Sequence, residues 1–316
     1  MEEILFFIFA FLTVFLSIKL SYYCDLLSKS FKVSSALVGG ILLASVTSLP
    51  EFVTCFSSIK LNNPLLAIGD ILGSNFFNIF MMSLFDIIFI KYMMFNKLKN
   101  NYLFYYLFLI ISYIFIYLYM SGILSVSISY IGIPSIIILI LYFIYFLLSF
   151  KRDKDDVIVL NVNKRKLIFK IIITSLFMIV SSILLTINVN KIAIKYPLFS
   201  SSLLGAILLG VTTSLPEVIT FYSLVKLNNY DLALSNILGS NIFNLFVLAI
   251  GDFLIKGSSI FGFFDKDSFI ILILGFIVTI INMVSNIKSN NKIIYILPSV
   301  VIFIIYILFW FFKFVY

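Results

Sequence analysis

Glu51 and Glu217 are carboxylates embedded in strongly apolar sequence, and each closes the same pentapeptide. Thr47-Ser48-Leu49-Pro50-Glu51 recurs as Thr213-Ser214-Leu215-Pro216-Glu217, 166 residues later. At the same offset Gly73-Ser74-Asn75-Phe76-Phe77-Asn78 is matched by Gly239-Ser240-Asn241-Ile242-Phe243-Asn244, and Lys60-Leu61-Asn62-Asn63 by Lys226-Leu227-Asn228-Asn229. Laid without a gap, Ser35 to Asp86 over Ser201 to Asp252 gives 28 identities in 52 positions, an internal duplication whose most faithful letters are polar. A charge at the centre of a membrane helix costs about 2.5–3.5 kcal/mol on insertion scales. Bearing that cost twice, at matching points of a duplication, argues for function rather than accident.

The neighbouring residue types narrow the chemistry. Pro50 cannot donate to the carbonyl of Val46, nor Pro216 to that of Thr212, so each helix should kink or unwind one turn before its Glu. Carbonyls freed in a dry environment need partners, and a bound cation is one. Thr47 and Ser48 share a helical face with Glu51, and Ser74 and Asn78 lie one turn apart on the following span. The second copy contributes Thr213, Ser214, Glu217, Ser240 and Asn244. The set is all oxygen, with no histidine in the chain, and suits hard cations such as Ca²⁺ rather than Zn²⁺ or Cu²⁺. Two carboxylates neutralise one Ca²⁺; they could instead hold two or more monovalent cations or two protons, and that arithmetic permits exchange. Taken singly, each hydroxyl reads equally well as helix–helix glue, and Gly39, Gly73, Gly205 and Gly239 as close-packing residues.

The elements that position these residues must be membrane helices. At 62% hydrophobic and 11% charged, 316 residues carry too little polar surface for a water-soluble globule. About 20 apolar residues cross a bilayer, which places ten spans near 4–24, 33–60, 64–90, 101–120, 126–150, 167–189, 199–226, 231–255, 268–287 and 293–315. The N-terminal stretch opens with Glu2 and Glu3 and lacks a cleavage site, so it reads as the first span rather than a signal peptide. The basic interval Lys151 to Lys166 divides the chain into a first five-helix repeat, residues 1–150, a linker, 151–166, and a second repeat, 167–316. Five is odd, so the two repeats should have inverted topology. With the linker cytoplasmic, fifteen Lys and Arg fall inside and six outside, which puts the protein in the cell membrane with both termini extracellular. Spans 2, 3, 7 and 8 hold the polar letters and should form a shielded core; spans 4, 5, 9 and 10 should brace it or face lipid, and spans 1 and 6 are the candidates to move. The net charge of +8 sits in loops and forms no basic face, which argues against a nucleic-acid partner. Cys24 and Cys55 have no paired spacing. No repeated nucleophile and base occur together, so an enzyme is not expected, nor is a cofactor.

The paired Thr-Ser-Leu-Pro-Glu and Gly-Ser-Asn-x-x-Asn motifs resemble the two alpha-repeats of the calcium/cation antiporter superfamily, especially its prokaryotic sodium/calcium exchangers. The resemblance implies an all-α membrane protein of about ten helices with broken helices at a central ion site. It implies Glu51 and Glu217 as central Ca²⁺ ligands, with backbone carbonyls around Thr47 and Thr213. Na⁺ sites would use Ser48, Ser74, Ser214 and Ser240 and carbonyls near Ala44 and Gly210, with Asn78 and Asn244 in the middle. The expected function is Ca²⁺ export against inward Na⁺ by alternating access, with Ca²⁺/H⁺ exchange as the alternative and a channel disfavoured by a closed, charge-paired site. Three departures stand out: Val46 and Thr212 replace a usual Gly, Asn244 stands where some relatives have Asp, and Asp70 stands where the second copy has Asn236. Asp70 either restores the missing charge or hydrogen-bonds behind the ligands. Asp86 and Asp252, also within spans, carry no assigned role.

Overall fold

The computed structural model describes residues 1–29, 44–98, 102–150 and 163–315. The opening part of the expected second span, with Gly39, and residues 151–162 of the basic linker lie outside the described residues. In chain order the helices are α1 (Glu2–Lys29), α2 (Ala44–Thr47), α3 (Leu49–Lys60), α4 (Pro64–Ile88), α5 (Leu103–Met120), α6 (Ile133–Phe150), α7 (Lys164–Lys195), α8 (Ser201–Leu204), α9 (Val211–Thr213), α10 (Leu215–Lys226), α11 (Tyr230–Asp252), α12 (Lys266–Ser285) and α13 (Lys292–Val315). A π-helical turn, Gly205–Gly210, joins α8 to α9. Among the described residues seven helices are long and apolar enough to cross a membrane, and an eighth if the pair on either side of Ser214, bent by 42°, counts as one span.

The fifth span begins later than expected. Residues 127–132, read from sequence as helix, form two short antiparallel strands, β1 (Ser127–Ile128) and β2 (Ile131–Gly132). Ser129 and Tyr130 turn the hairpin with φ of 50° and 75°, the pair of left-handed conformations a two-residue reversal needs. The N–H of Gly132 is then free to donate to Asp252 Oδ2 at 2.8 Å.

Local chemistry explains why the duplicated Lys-Leu-Asn-Asn ends one helix and starts the next. Asn62 and Asn228 both sit at φ 57°, the left-handed position that Asn tolerates better than most residues. The following N–H groups close the helix end identically: Asn62 to Ile59 and Asn63 to Ser58, Asn228 to Val225 and Asn229 to Leu224, all at 3.0 Å, the double closure of a Schellman motif. Asn63 and Asn229 then act as N-caps of α4 and α11, accepting from Leu66 and Leu232.

Packing separates core from periphery as the polar letters predict. In α4 and α11 the most apolar stretch is 72% and 83% buried, against 28% for α1, α7 and α13. The outer helices turn Phe7, Phe11, Phe169, Ile172, Ile293 and Phe311 outward, a surface suited to lipid. α1 packs along α7, and α4 packs against the π-turn of the other repeat. That last contact is backbone on backbone. A Cβ on Gly73 would fall 2.4 Å from Ala206 Cα, and one on Gly205 2.5 Å from the carbonyl oxygen of Leu66, so only glycine permits this approach.

Gly73→Ala should therefore overpack the seam and lower the unfolding temperature of the detergent-solubilised protein, at a cost of about 1–3 kcal/mol. Gly262→Ala, which meets open space, should leave the melting curve unchanged; equal shifts for the two variants would show that the seam is not tight.

Candidate cation site

The helix is interrupted at Ser48 and again at Ser214. Ser48 has φ −87° and ψ 14°, outside the helical well, and Ser214 φ −82° and ψ −4°, still within it, and each is followed by a helix with Pro in its first turn. Pro tolerates that position because the first N–H groups of a helix have no intrahelical partner. Glu51 and Glu217 are the third residues of α3 and α10, at the end where unpaired N–H groups and the helix dipole favour a negative charge. The preceding segments end at the same place, and the end of a helix presents carbonyl oxygens, which favour a cation. Each break thus sets a carboxylate in the first turn of one helix close to the carbonyl end of the segment before it.

The two repeats then cross-link at the breaks. Ser48 Oγ donates to Glu217 Oε1 at 2.8 Å, and Ser214 Oγ donates to Glu51 Oε1 at 3.3 Å. Ser240 Oγ is 3.4 Å from Glu217 Oε1 and 3.4 Å from Thr47 Oγ1, which itself donates to the carbonyl of Ala44 at 3.1 Å. Ser74 Oγ donates across the seam to the carbonyl of Gly210 at 3.2 Å. Both carboxylates are fully buried. Each has one oxygen engaged and the other, Glu51 Oε2 and Glu217 Oε2, without a hydrogen-bond partner.

Asn78 and Asn244 approach from α4 and α11. Asn78 Nδ2 donates to Asn241 Oδ1 at 2.9 Å, and Asn244 Nδ2 to Asn75 Oδ1 at 3.1 Å. Their own oxygens, Asn78 Oδ1 and Asn244 Oδ1, are buried and unpartnered. All residues expected from sequence at the ion site are buried and described: Ala44, Thr47, Ser48, Glu51, Ser74, Asn78, Gly210, Thr213, Ser214, Glu217, Ser240 and Asn244. Among the described residues no three Asp, Glu, His or Cys side chains form a metal cage.

Asp70 lies behind this arrangement. It is fully buried, accepts a short hydrogen bond from Thr54 on Oδ2, and has Thr213 Oγ1 3.4 Å from Oδ1. Thr213 also donates to the carbonyl of Leu209 at 2.9 Å. Its counterpart Asn236 is buried with both polar atoms unpartnered, so the copies differ here in bonding as well as in letter. Asp86 and Asp252 stand apart from the cluster and are saturated: Asp86 accepts from Tyr295 and from Ser299 at 2.7 Å, and Asp252 from Ser135 at 2.6 Å and the N–H groups of Gly132 and Ile260. They pin α13 and α6 to the core. Thr54, Asn75 and Asn241 escaped the sequence reading as site residues, although Thr54 recurs as Thr220 and both Asn lie inside the duplicated motif.

Comparison with known proteins follows the same lines. A family model described as sodium/calcium exchanger protein matches residues 3–151 and 166–315. An uncharacterized membrane protein of Methanocaldococcus jannaschii is 27% identical over 230 residues, covering 71% of this chain and 72% of that protein. Among solved structures, the H⁺/Ca²⁺ exchanger CAX aligns with a TM-score of 0.70 at 13% identity, over 99% of this chain and 88% of that one. The sodium-calcium exchanger NCX_Mj aligns with a TM-score of 0.63 at 22% identity, over 97% and 96%. At such identities the likeness is one of fold.

The unequal cross-links make a measurable difference. Ser48→Ala removes the closer of the two serine donors that reach a glutamate of the opposite repeat and should cost about 1.5–3 kcal/mol in ion-free buffer, seen as a lowered unfolding temperature. Ser214→Ala, removing the longer bond, should cost less; the reverse order would contradict the geometry.

Proposed function

Because this chain belongs to the sodium/calcium exchanger family, we propose that it is a cell-membrane antiporter that exports Ca²⁺ against an inward flow of Na⁺ at the site shared by Glu51 and Glu217. One observation carries the reading. Glu51 Oε2, Glu217 Oε2, Asn78 Oδ1 and Asn244 Oδ1, four oxygens on residues expected at the ion site, are buried without a hydrogen-bond partner, and a polar oxygen buried without a donor is costly. A cation relieves all four at once. Two carboxylates balance one Ca²⁺; the same oxygens, divided between the repeats with Ser48, Ser214, Ser74, Ser240 and the carbonyls of Ala44, Thr47, Gly210 and Thr213, serve Na⁺. The two loads share ligands and so exclude each other, which is the requirement for exchange. The family is one of transporters, and Ca²⁺ and Na⁺ are cargo here rather than resident cofactors.

The proposed frame is ten spans, with broken helices flanking the carboxylates and two inverted repeats, 1–150 and 167–316, joined by a cytoplasmic linker, 151–166, with both termini outside. The inversion lets one central site open to either face. The α1 and α7 pair is proposed to slide across the α4 and α11 core, since it packs on itself and is mostly lipid-exposed.

A second reading, Ca²⁺/H⁺ exchange, is favoured by Asp70: a fully buried carboxylate held by hydroxyl groups, with the ion pairs among the described residues lying elsewhere, at Glu2, Glu3 and Asp267. Such a group carries either a proton or a share of a cation.

Reconstituted in liposomes, the protein should take up Ca²⁺ when an outward Na⁺ gradient is imposed and not on voltage alone; uptake on a pH gradient instead would select the second reading, and voltage-driven flux would select a channel. Glu51→Gln and Glu217→Gln each remove half of the compensating charge and should abolish exchange in folded protein; near-normal transport by either would sink the assignment. Asp70→Asn should reduce Na⁺-driven uptake by less than about tenfold, the worth of one hydrogen bond, whereas its collapse would show that Asp70 supplies charge to the ion.

A further inference from the structure

Asn75 and Asn241 are the neighbours that face each other across the two repeats. Asn75 Nδ2 donates to the backbone carbonyl of Asn241 at 3.1 Å, and Asn241 Nδ2 to the backbone carbonyl of Asn75 at 3.2 Å. Both residues are buried. The side-chain oxygens accept in the same reciprocal way, Asn241 Oδ1 from Asn78 and Asn75 Oδ1 from Asn244. The result is a closed set of amides related by the duplication, tied to α5 where Asn75 Nδ2 reaches Tyr113 Oη at 3.3 Å.

The direction of every bond in this set follows from chemistry alone. An amide can present either end to a neighbour, but a backbone carbonyl only accepts. Asn75 and Asn241 must therefore turn their NH₂ groups toward those carbonyls, which leaves their oxygens facing Asn78 and Asn244. Those oxygens also only accept, so Asn78 and Asn244 must offer their NH₂ groups in turn. Their carbonyl oxygens are then forced to the opposite end of each amide, where both are buried and without a hydrogen-bond partner.

We propose that Asn75 and Asn241 are positioning residues that lock the amides of Asn244 and Asn78 with their oxygens turned to the transported cation. This rests on the antiporter reading above and adds the device that orients its neutral ligands. Without the clasp a free amide can rotate and present NH₂ to the ion, converting a ligand into a repulsive dipole. Each locking residue comes from the opposite repeat, so the clasp also ties ligand orientation to the docking of the two halves. A rigid, oriented neutral ligand strengthens binding by reducing what must be ordered when the ion arrives.

The test is a double-mutant cycle on Ca²⁺ uptake in proteoliposomes, under the gradient that drives the wild type, with KM for Ca²⁺ and maximal rate read separately. Asn75→Leu should raise KM about tenfold, the worth of one lost ligand, with the maximal rate within about twofold. Asn244→Ala should do the same. The double variant should be no worse than about twofold beyond Asn244→Ala, because a missing amide needs no orienting. Multiplication to about a hundredfold would mean that Asn75 acts on its own, and an unchanged KM in Asn75→Leu would mean that it positions nothing; either result overturns the proposal. Should Asn75→Leu fail to fold, Asn241→Leu with Asn78→Ala makes the same cycle in the other half. The wild type and Glu51→Gln run alongside: absence of Ca²⁺ transport by the wild type under every gradient, or retention of it by Glu51→Gln, defeats the antiporter reading itself. Normal controls with an unmoved KM defeat only the positioning role.

Discussion

Burying two carboxylates in the core of a membrane protein, with no ion pair to either among the described residues, is the constraint on which the rest of this structure depends. Such a pair is tolerable only if its surroundings provide positive potential without a permanent counter-charge. Here that potential comes from the first turns of α3 and α10, where Glu51 and Glu217 sit among unpaired N–H groups, and from hydroxyl donors delivered by the opposite repeat. A lysine would satisfy the charge permanently and leave nothing for an ion to do. Hydroxyls and helix ends satisfy half of each carboxylate and leave the other oxygen free.

Holding the halves in this relation falls to backbone contacts. Gly73 and Gly205 let α4 and the π-turn approach to a distance no side chain allows, and the π-turn widens the helix immediately before the second break. Asp86 and Asp252 secure the far ends of the same core helices to α13 and α6 by saturated hydrogen bonding, so the two buried acids outside the site do structural work that a cation is not needed to complete. The periphery, α1 and α7 foremost, shares little of this bonding and much of the exposed apolar surface.

The duplication is faithful in letters and unequal in geometry. Ser240 reaches Glu217, while its counterpart Ser74 turns to the carbonyl of Gly210. Asp70 has Thr213 beside one of its oxygens, and the matching Asn236 bonds to nothing. Each hydroxyl has a single proton to give, so the matched serines and threonines of the two copies, set among different neighbours, spend it on different acceptors.

Much of the site was legible in the residues alone. Two glutamates in matching apolar contexts, the prolines beside them and the repeated Gly-Ser-Asn-x-x-Asn identified the cluster, since charge burial and helix breaking are local costs written in residue type. The repeated Lys-Leu-Asn-Asn was visible only as part of the duplication; its turn, with Asn62 and Asn228 at φ 57°, came from the structure. What sequence could not supply was pairing. The hairpin at Ser127–Gly132 looked like more helix because it runs without a charged residue into the apolar span that follows, and only the structure shows its strand pairing and its contact with Asp252. Asn75 and Asn241 stood in plain view within the motif, yet their role depends on each donating to the other's backbone across 166 residues. Residue type sets which bonds a side chain can make; which acceptor lies within reach is decided by how distant segments pack, and here that choice fixes which end of the Asn78 and Asn244 amides is bonded.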